Sequence, residues 1–255
     1  MGDVRMVSVR DTRIRGVRDT HTLSIDLPLV RARRHEATQS LLGDTISITD
    51  EEWSLSSRLP GWTRAHVATH IARNADGFSR VMDQLRDGQP TSLYRSAAAN
   101  REDIERGSER TALELQVDLD ASAGRLHSRF PELMALPPDR LVRLSPSLTI
   151  RLDRMPLARL NEVVLHHIDL DVGFTYADIE PDVAAWLLTY NADRVGRTST
   201  YPAVRIVSDS GVTAVIGGAG RPTVVHGQDN LLLGWITGRL NRKQIDKRLP
   251  PLPCR

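Results

Sequence analysis

Four side chains on two segments have the types and spacing that metal chemistry requires. In NEVVLHHIDLD, residues 161–171, Glu162 and His166 stand four apart; in RAHVATHIARNADG, residues 64–77, His66 and His70 do the same. Positions i and i+4 share a helix face, so each segment would present two donors together. A carboxylate or imidazole set among Val, Leu and Ile is costly to bury without a partner. One partner is a divalent cation. Two imidazole nitrogens and one carboxylate oxygen make the His₂Glu set of catalytic zinc sites, whose fourth position stays open to water or substrate. The other partner is an ordinary hydrogen bond, and for any one histidine taken alone that is the commoner reading. Spacing leaves two choices open, between His66 and His70 and between His166 and His167. Face decides part of the second: His167 lies about 100° round the helix, so Glu162 points with His166. His66 is near the start of its helix and is expected to be exposed. His70 is one turn deeper, flanked by Val67, Ile71 and Asn74.

The rest of the composition narrows the chemistry. Cys254 is the only cysteine in 255 residues, which excludes an internal disulfide, a CxxC redox pair and a cysteine zinc finger. A metal site must therefore use His, Asp and Glu, and thiol chemistry inside the fold must borrow a thiol. The net charge of +2 does not point to nucleic acid as the main partner. The chain is 40% hydrophobic and 26% charged, as in a soluble globular protein. It has no apolar run long enough for a membrane span. The Arg-rich start lacks the apolar stretch of a secretory signal. Residues 1–22 are expected to be a disordered arm, and the protein to be cytoplasmic.

The elements that must position those donors are mostly helical. Asp26 with Pro28 opens a helix that runs to Leu42, with Gly43 as its stop. A helical turn follows Asp50. Thr63 caps a long helix that carries His66 and His70 to Gly88. Ser96 to Phe130 reads as mostly helical, broken near Gly107. LVRLSPSLTIRL, residues 141–152, alternates as a hairpin. Pro156 opens the helix bearing Glu162 and His166, which runs to about Gly173, and another helix spans Pro181 to Val195. Beyond Gly196 the texture changes: AVRIVSDSGVTAVIGG gives two strands turning at 209–211, PTVVHG a third, and DNLLLGWITGRLN a helix. The expected class is α+β, with a four-helix bundle over 23–196 and a small α/β domain over 197–255.

Four stretches carry a resemblance. LPGWTRAHVATHIARNADG, LYRSAAANREDIERGS and NEVVLHHIDLD, in that order, resemble the mycothiol-dependent maleylpyruvate isomerase family, a branch of the DinB-like four-helix metalloproteins. LLLGWITGRL resembles the small α/β domain that follows the bundle in that family. The resemblance implies His70, Glu162 and His166 as metal ligands, in agreement with the face argument, and an external thiol, mycothiol, at the open position of a zinc ion. Where family members often carry Arg before the ligand Glu, this chain has Asn161; Arg159 is three residues upstream.

The implied reaction is a cis–trans isomerisation of maleylpyruvate, a ring-cleavage product of aromatic degradation, to fumarylpyruvate. Addition of a thiolate makes the double bond single, rotation follows, and expulsion restores it in the trans form. A coordinating metal ionises a thiol whose free pKa is near 8.5. The acidic substrate calls for arginines, and Arg101 and Arg239 are the candidates, with Tyr94 closing the pocket. Asp169 would orient an imidazole from behind, or pair at the surface. Trp62 and Trp235 read as packing residues. Two other readings remain: a zinc-dependent mycothiol S-transferase acting on electrophiles, and a metal-binding regulatory module without turnover.

Overall fold

A computed structural model describes residues 26–196, 202–218 and 220–240. The expected arm, the join at 197–201 where a domain boundary was placed, and the Pro-rich tail lie outside the described residues. Eight helices and five strands follow in order: α1 Leu27–Thr45, α2 Asp50–Ser54, α3 Arg64–Arg86, α4 Ala97–Ser108, α5 Ala112–Arg129, β1 Leu141–Ser145, β2 Leu148–Arg151, α6 Met155–Leu170, α7 Pro181–Gly196, β3 Val204–Ser208, β4 Thr213–Ile216, β5 Thr223–Gly227 and α8 Asp229–Ile236. The class is α+β, as expected.

Helices α1, α3, α5 and α6 form the bundle. α3 packs on α5 and α6, and α1 packs on the same two from the opposite corner. Their starts follow from local chemistry. Asp26 accepts from the Leu29 amide at the head of α1, and Thr63, Ser96 and Thr111 accept from the first turns of α3, α4 and α5. α6 begins with Pro156 in its first turn and ends at Asp171, which adopts a left-handed conformation with φ 57°. α1 runs past Gly43 to Thr45, because nothing crowds that glycine and no left-handed turn forms there. The break between α4 and α5 falls at 109–111, where Thr111 caps the new helix. Gly107 stays inside α4 for a different reason: a Cβ there would stand 2.3 Å from Cγ2 of Thr69 on α3. Only a glycine lets the two helices approach that closely.

The hairpin β1–β2 pairs antiparallel and covers one end of the bundle, where Val142, Leu144 and Leu152 join the core of Phe78, Leu126 and Phe130. The C-terminal sheet has the order β4–β3–β5, with β3 antiparallel to β4 and parallel to β5. Its inner face shares one apolar core with α6, α7 and α8, built from Leu160, Val164, Leu187, Leu188, Ile206, Val225 and Trp235 among others. α7 is thus the spacer between the bundle and the sheet. Among the described residues, no helix is long and apolar enough to cross a membrane.

Candidate metal centre

α6 is a buried helix with one opening. Fourteen of its sixteen residues are buried, and the two that are not are Glu162 and His166. Opposite them on α3 stands His70, a turn and a half inside a helix whose other inward positions are Val67, Ala68, Ile71, Asn74 and Ala75. His70, Glu162 and His166 place one donor atom each within 4.8 Å of one another. Nε2 of His70 is 3.4 Å from Glu162 Oε2, and Nε2 of His166 is 3.6 Å from the same oxygen.

Those two distances separate coordination from hydrogen bonding. A charge-assisted N–H···O⁻ bond closes to about 2.7–2.9 Å. Donors about 2.0–2.1 Å from a tetrahedral zinc lie about 3.3–3.4 Å from each other. The two contacts to Glu162 have the second spacing, and the three donor atoms together lie within 4.8 Å of one another. On the far side of the same imidazole, His166 Nδ1 and Asp169 Oδ2 are 2.8 Å apart, the length of a true hydrogen bond. With Asp169 accepting from Nδ1–H, the Nε2 lone pair of His166 faces Glu162. The donor set therefore fits a divalent cation.

Electrostatics set the protonation of the three donors differently. Burial, then the neighbouring His166, pushes His70 down, so its ring is neutral near pH 7. Burial would push Glu162 up, but the two imidazoles outweigh it and hold the carboxyl well below its usual range. Burial likewise opposes the protonation of His166, and Asp169 and Glu162 outweigh it, raising this imidazole. A cation at the centre replaces that proton.

The chain matches the family model described as the mycothiol maleylpyruvate isomerase N-terminal domain over residues 34–171. It belongs to this family. Two solved structures share the fold: the crystal structure of the mycothiol-dependent maleylpyruvate isomerase and that of a histidine-to-alanine mutant of it, at 22% and 21% identity. In both cases the TM-score is 0.76, with 84% of this chain and 90% of that chain covered. No curated protein sequence matches the chain.

Around the isomerase-family cluster, the structure sorts the other candidates. Asp169 is completely buried and joins His166 to Arg239, whose Nε and Nη2 reach its two oxygens at 2.9 and 2.6 Å. The sequence suggested a helix through 241. Instead α8 ends at Ile236 and Gly238 turns with φ 73°, which throws Arg239 onto α6. Tyr94 sits behind the site: its hydroxyl accepts from Asn74 Nδ2 at 3.3 Å. Arg101 is exposed on α4 and does not line the cavity beside Glu162 and His166. His66 is not exposed as expected. Its side chain retains 16% of its accessible surface, and its Nδ1 closes the cap with Thr63 while Nε2 meets Glu105 and Ser108. Trp62 leans on the His70 ring at 5.6 Å, and Trp235 is core.

Two buried polar residues, noted in the sequence only by their positions, support the cluster. Arg159, 2% exposed, donates through Nη1 to Asn74 Oδ1 at 2.6 Å and to the Ile71 carbonyl at 3.0 Å. That fixes which way the Asn74 amide points, so its Nδ2 faces Glu162 Oε2 at 3.4 Å. The signal was present in the spacing: Asn74 is four residues beyond His70, and Arg159 three before Glu162.

Proposed function

We propose that the chain is a metal- and mycothiol-dependent isomerase that converts maleylpyruvate to fumarylpyruvate. His70, Glu162 and His166 would hold the metal, for which zinc is the ion the donors favour. The observation that carries the reading is the convergence of two imidazoles and a carboxylate, one donor atom each within 4.8 Å of the others, on the opening in α6. Family membership supplies the thiol and the substrate class. A metal held by His70, Glu162 and His166 would ionise the thiol, and the thiolate would supply the reversible nucleophile that lets the alkene bond of the acid become single, rotate and re-form.

The chain's own residues have distinct tasks in this scheme. His70 and His166 contribute neutral nitrogens and Glu162 a single charge, so the site retains a net positive charge toward the thiol. Asp169 holds the proton of His166 on Nδ1 and keeps Nε2 free. Arg239 holds Asp169. Asn74, clamped by Arg159, steadies the Glu162 carboxylate. The ring of Trp62 shields one side of His70 from water.

The test is direct. Purified protein with zinc, mycothiol and maleylpyruvate should lose the absorbance of the cis enol while the thiol concentration stays constant. A stable thioether accumulating at the expense of thiol would make the protein a transferase instead. A metal content far below one per chain, after purification without chelators, would remove the site altogether.

A further inference from the structure

Beside the cluster lies a cavity of about 160 Å³, walled by α6, α7 and the turn after α8. It holds two guanidinium groups, and they are not equivalent. Arg239 is bound through two nitrogens to Asp169, so its charge is already matched. Arg194, in the last turn of α7, borders the same cavity and is half-buried. Its guanidinium lies over the ring of Tyr190, 5.6 Å from the centroid. No carboxylate among the described residues pairs with it.

Charge and shape both indicate what is missing. Asp169 answers Arg239, and Arg159 lies buried behind Glu162, so Arg194 is a further positive charge at the cavity that no described carboxylate answers. A carboxylate on a bound acid would answer it. The cavity is well below the roughly 300 Å³ at which drug-sized sites begin, which suits a small acid. Its floor also offers an amide. Asn191 Nδ2 donates to Asn161 Oδ1 at 2.6 Å and to the Leu187 carbonyl at 2.8 Å, so the end of Asn161 outside that pair is its NH₂ donor. Guanidinium and amide donors in one small cleft make a carboxylate subsite.

We propose that Arg194 is the specificity residue that anchors a carboxylate of the substrate, which is a small acid with its reactive carbon at the Glu162–His166 end of the cavity. This assignment rests on the isomerase reading for the reaction, and the experiment separates the two. Zinc-loaded full-length protein is titrated calorimetrically with maleate and with its monomethyl ester, for wild type, Arg194→Gln and Arg194→Lys. KM and kcat for maleylpyruvate are measured in parallel. Arg194→Gln should weaken maleate binding about 10–100-fold. It should lose most of the preference for the diacid over the ester, and raise KM with kcat little changed. Arg194→Lys should recover part of the affinity, since charge survives without the fork. Maleate binding by Arg194→Gln at wild-type strength, or none by the wild type, overturns the proposal. If the wild type shows no turnover yet maleate affinity falls in Arg194→Gln, the isomerase reading fails and the carboxylate anchor stands.

Discussion

Replacing Asp169 with Asn tests how the C-terminal turn acts on the proposed metal site. Asp169 has no exposed surface and sits between the His166 ring at 2.8 Å and the Arg239 fork at 2.6 and 2.9 Å. Asn keeps the volume and can still accept one hydrogen bond through Oδ1, but it carries no charge. Losing a carboxylate behind a ligating imidazole typically costs 10–100-fold in metal affinity. At about 1.4 kcal/mol per tenfold, that is about 1.4–2.8 kcal/mol. Breaking a buried ion pair costs a further penalty on the fold, about 3–5 kcal/mol, because Arg239 loses its countercharge while keeping four-fifths of its surface covered. These two effects come apart in the double variant. Asp169→Asn with Arg239→Gln should regain much of the stability, since no unpaired charge remains, and none of the metal affinity. Competition against a chromogenic zinc chelator reads the first quantity and urea unfolding of the metal-free protein reads the second. Unchanged zinc affinity in Asp169→Asn would refute the idea that this carboxylate orients His166. Metal affinity restored by Arg239→Gln would refute the separation.

Other consequences follow from neighbouring contacts. Burial raises the Asp169 carboxyl, but His166 and Arg239 outweigh it and hold the group below its ordinary value. Its contribution to stability is therefore present above the ordinary carboxylate range and lost as pH falls through the lowered value. The metal-free Asp169→Asn protein should show a flatter acid limb in its unfolding curve than the metal-free wild type. His70→Ala, Glu162→Ala and His166→Ala should each drop the metal content far below one per chain while leaving the helical circular dichroism spectrum in place; a full complement of metal in any of them would exclude that residue as a ligand. Arg159→Met should cost about 2–4 kcal/mol in urea unfolding, because Asn74 Oδ1 and the Ile71 carbonyl lose a buried donor, and an unchanged midpoint would contradict the clamp. Gly107→Ala should destabilise by about 1–3 kcal/mol, and adding Thr69→Ser, which removes the Cγ2 methyl in the way, should return part of it.

Local signals made most of the fold legible. Asp26, Thr63 and Ser96 stand at visible places and the helices begin at them, whereas the sequence puts the break before α5 near Gly107 and not at Thr111. The alternation of 141–152 and of 204–216 showed as strands because one face of each is buried. The site was legible for the same reason it exists: a carboxylate and an imidazole sharing a face of an otherwise apolar helix require a partner. The misreadings have one source. His66, Arg101 and the end of α8 depend on what packs against them from elsewhere, and periodicity carries nothing about that. His66 looked exposed because it is in a first turn, yet α4 lies over it through Glu105 and Ser108.

The charge arrangement explains why the C-terminal unit is needed at a site whose donors all lie on the bundle. Glu162 and Asp169 are on one helix, seven residues apart, and both are shielded from solvent. Two carboxylates so placed would repel and each would tend to hold a proton. Arg239, delivered by the turn after α8, neutralises the second, and Arg159, three residues before Glu162 and wholly inside the bundle, favours the charge of the first. With both carboxylates ionised, Asp169 and Glu162 face His166 and raise its affinity for a proton, and a cation at the cluster would compete for the same lone pair. Removing Arg239 thus acts on His166 through Asp169 without touching the metal, which is why its effect should show in proton and metal affinity before it shows in the backbone.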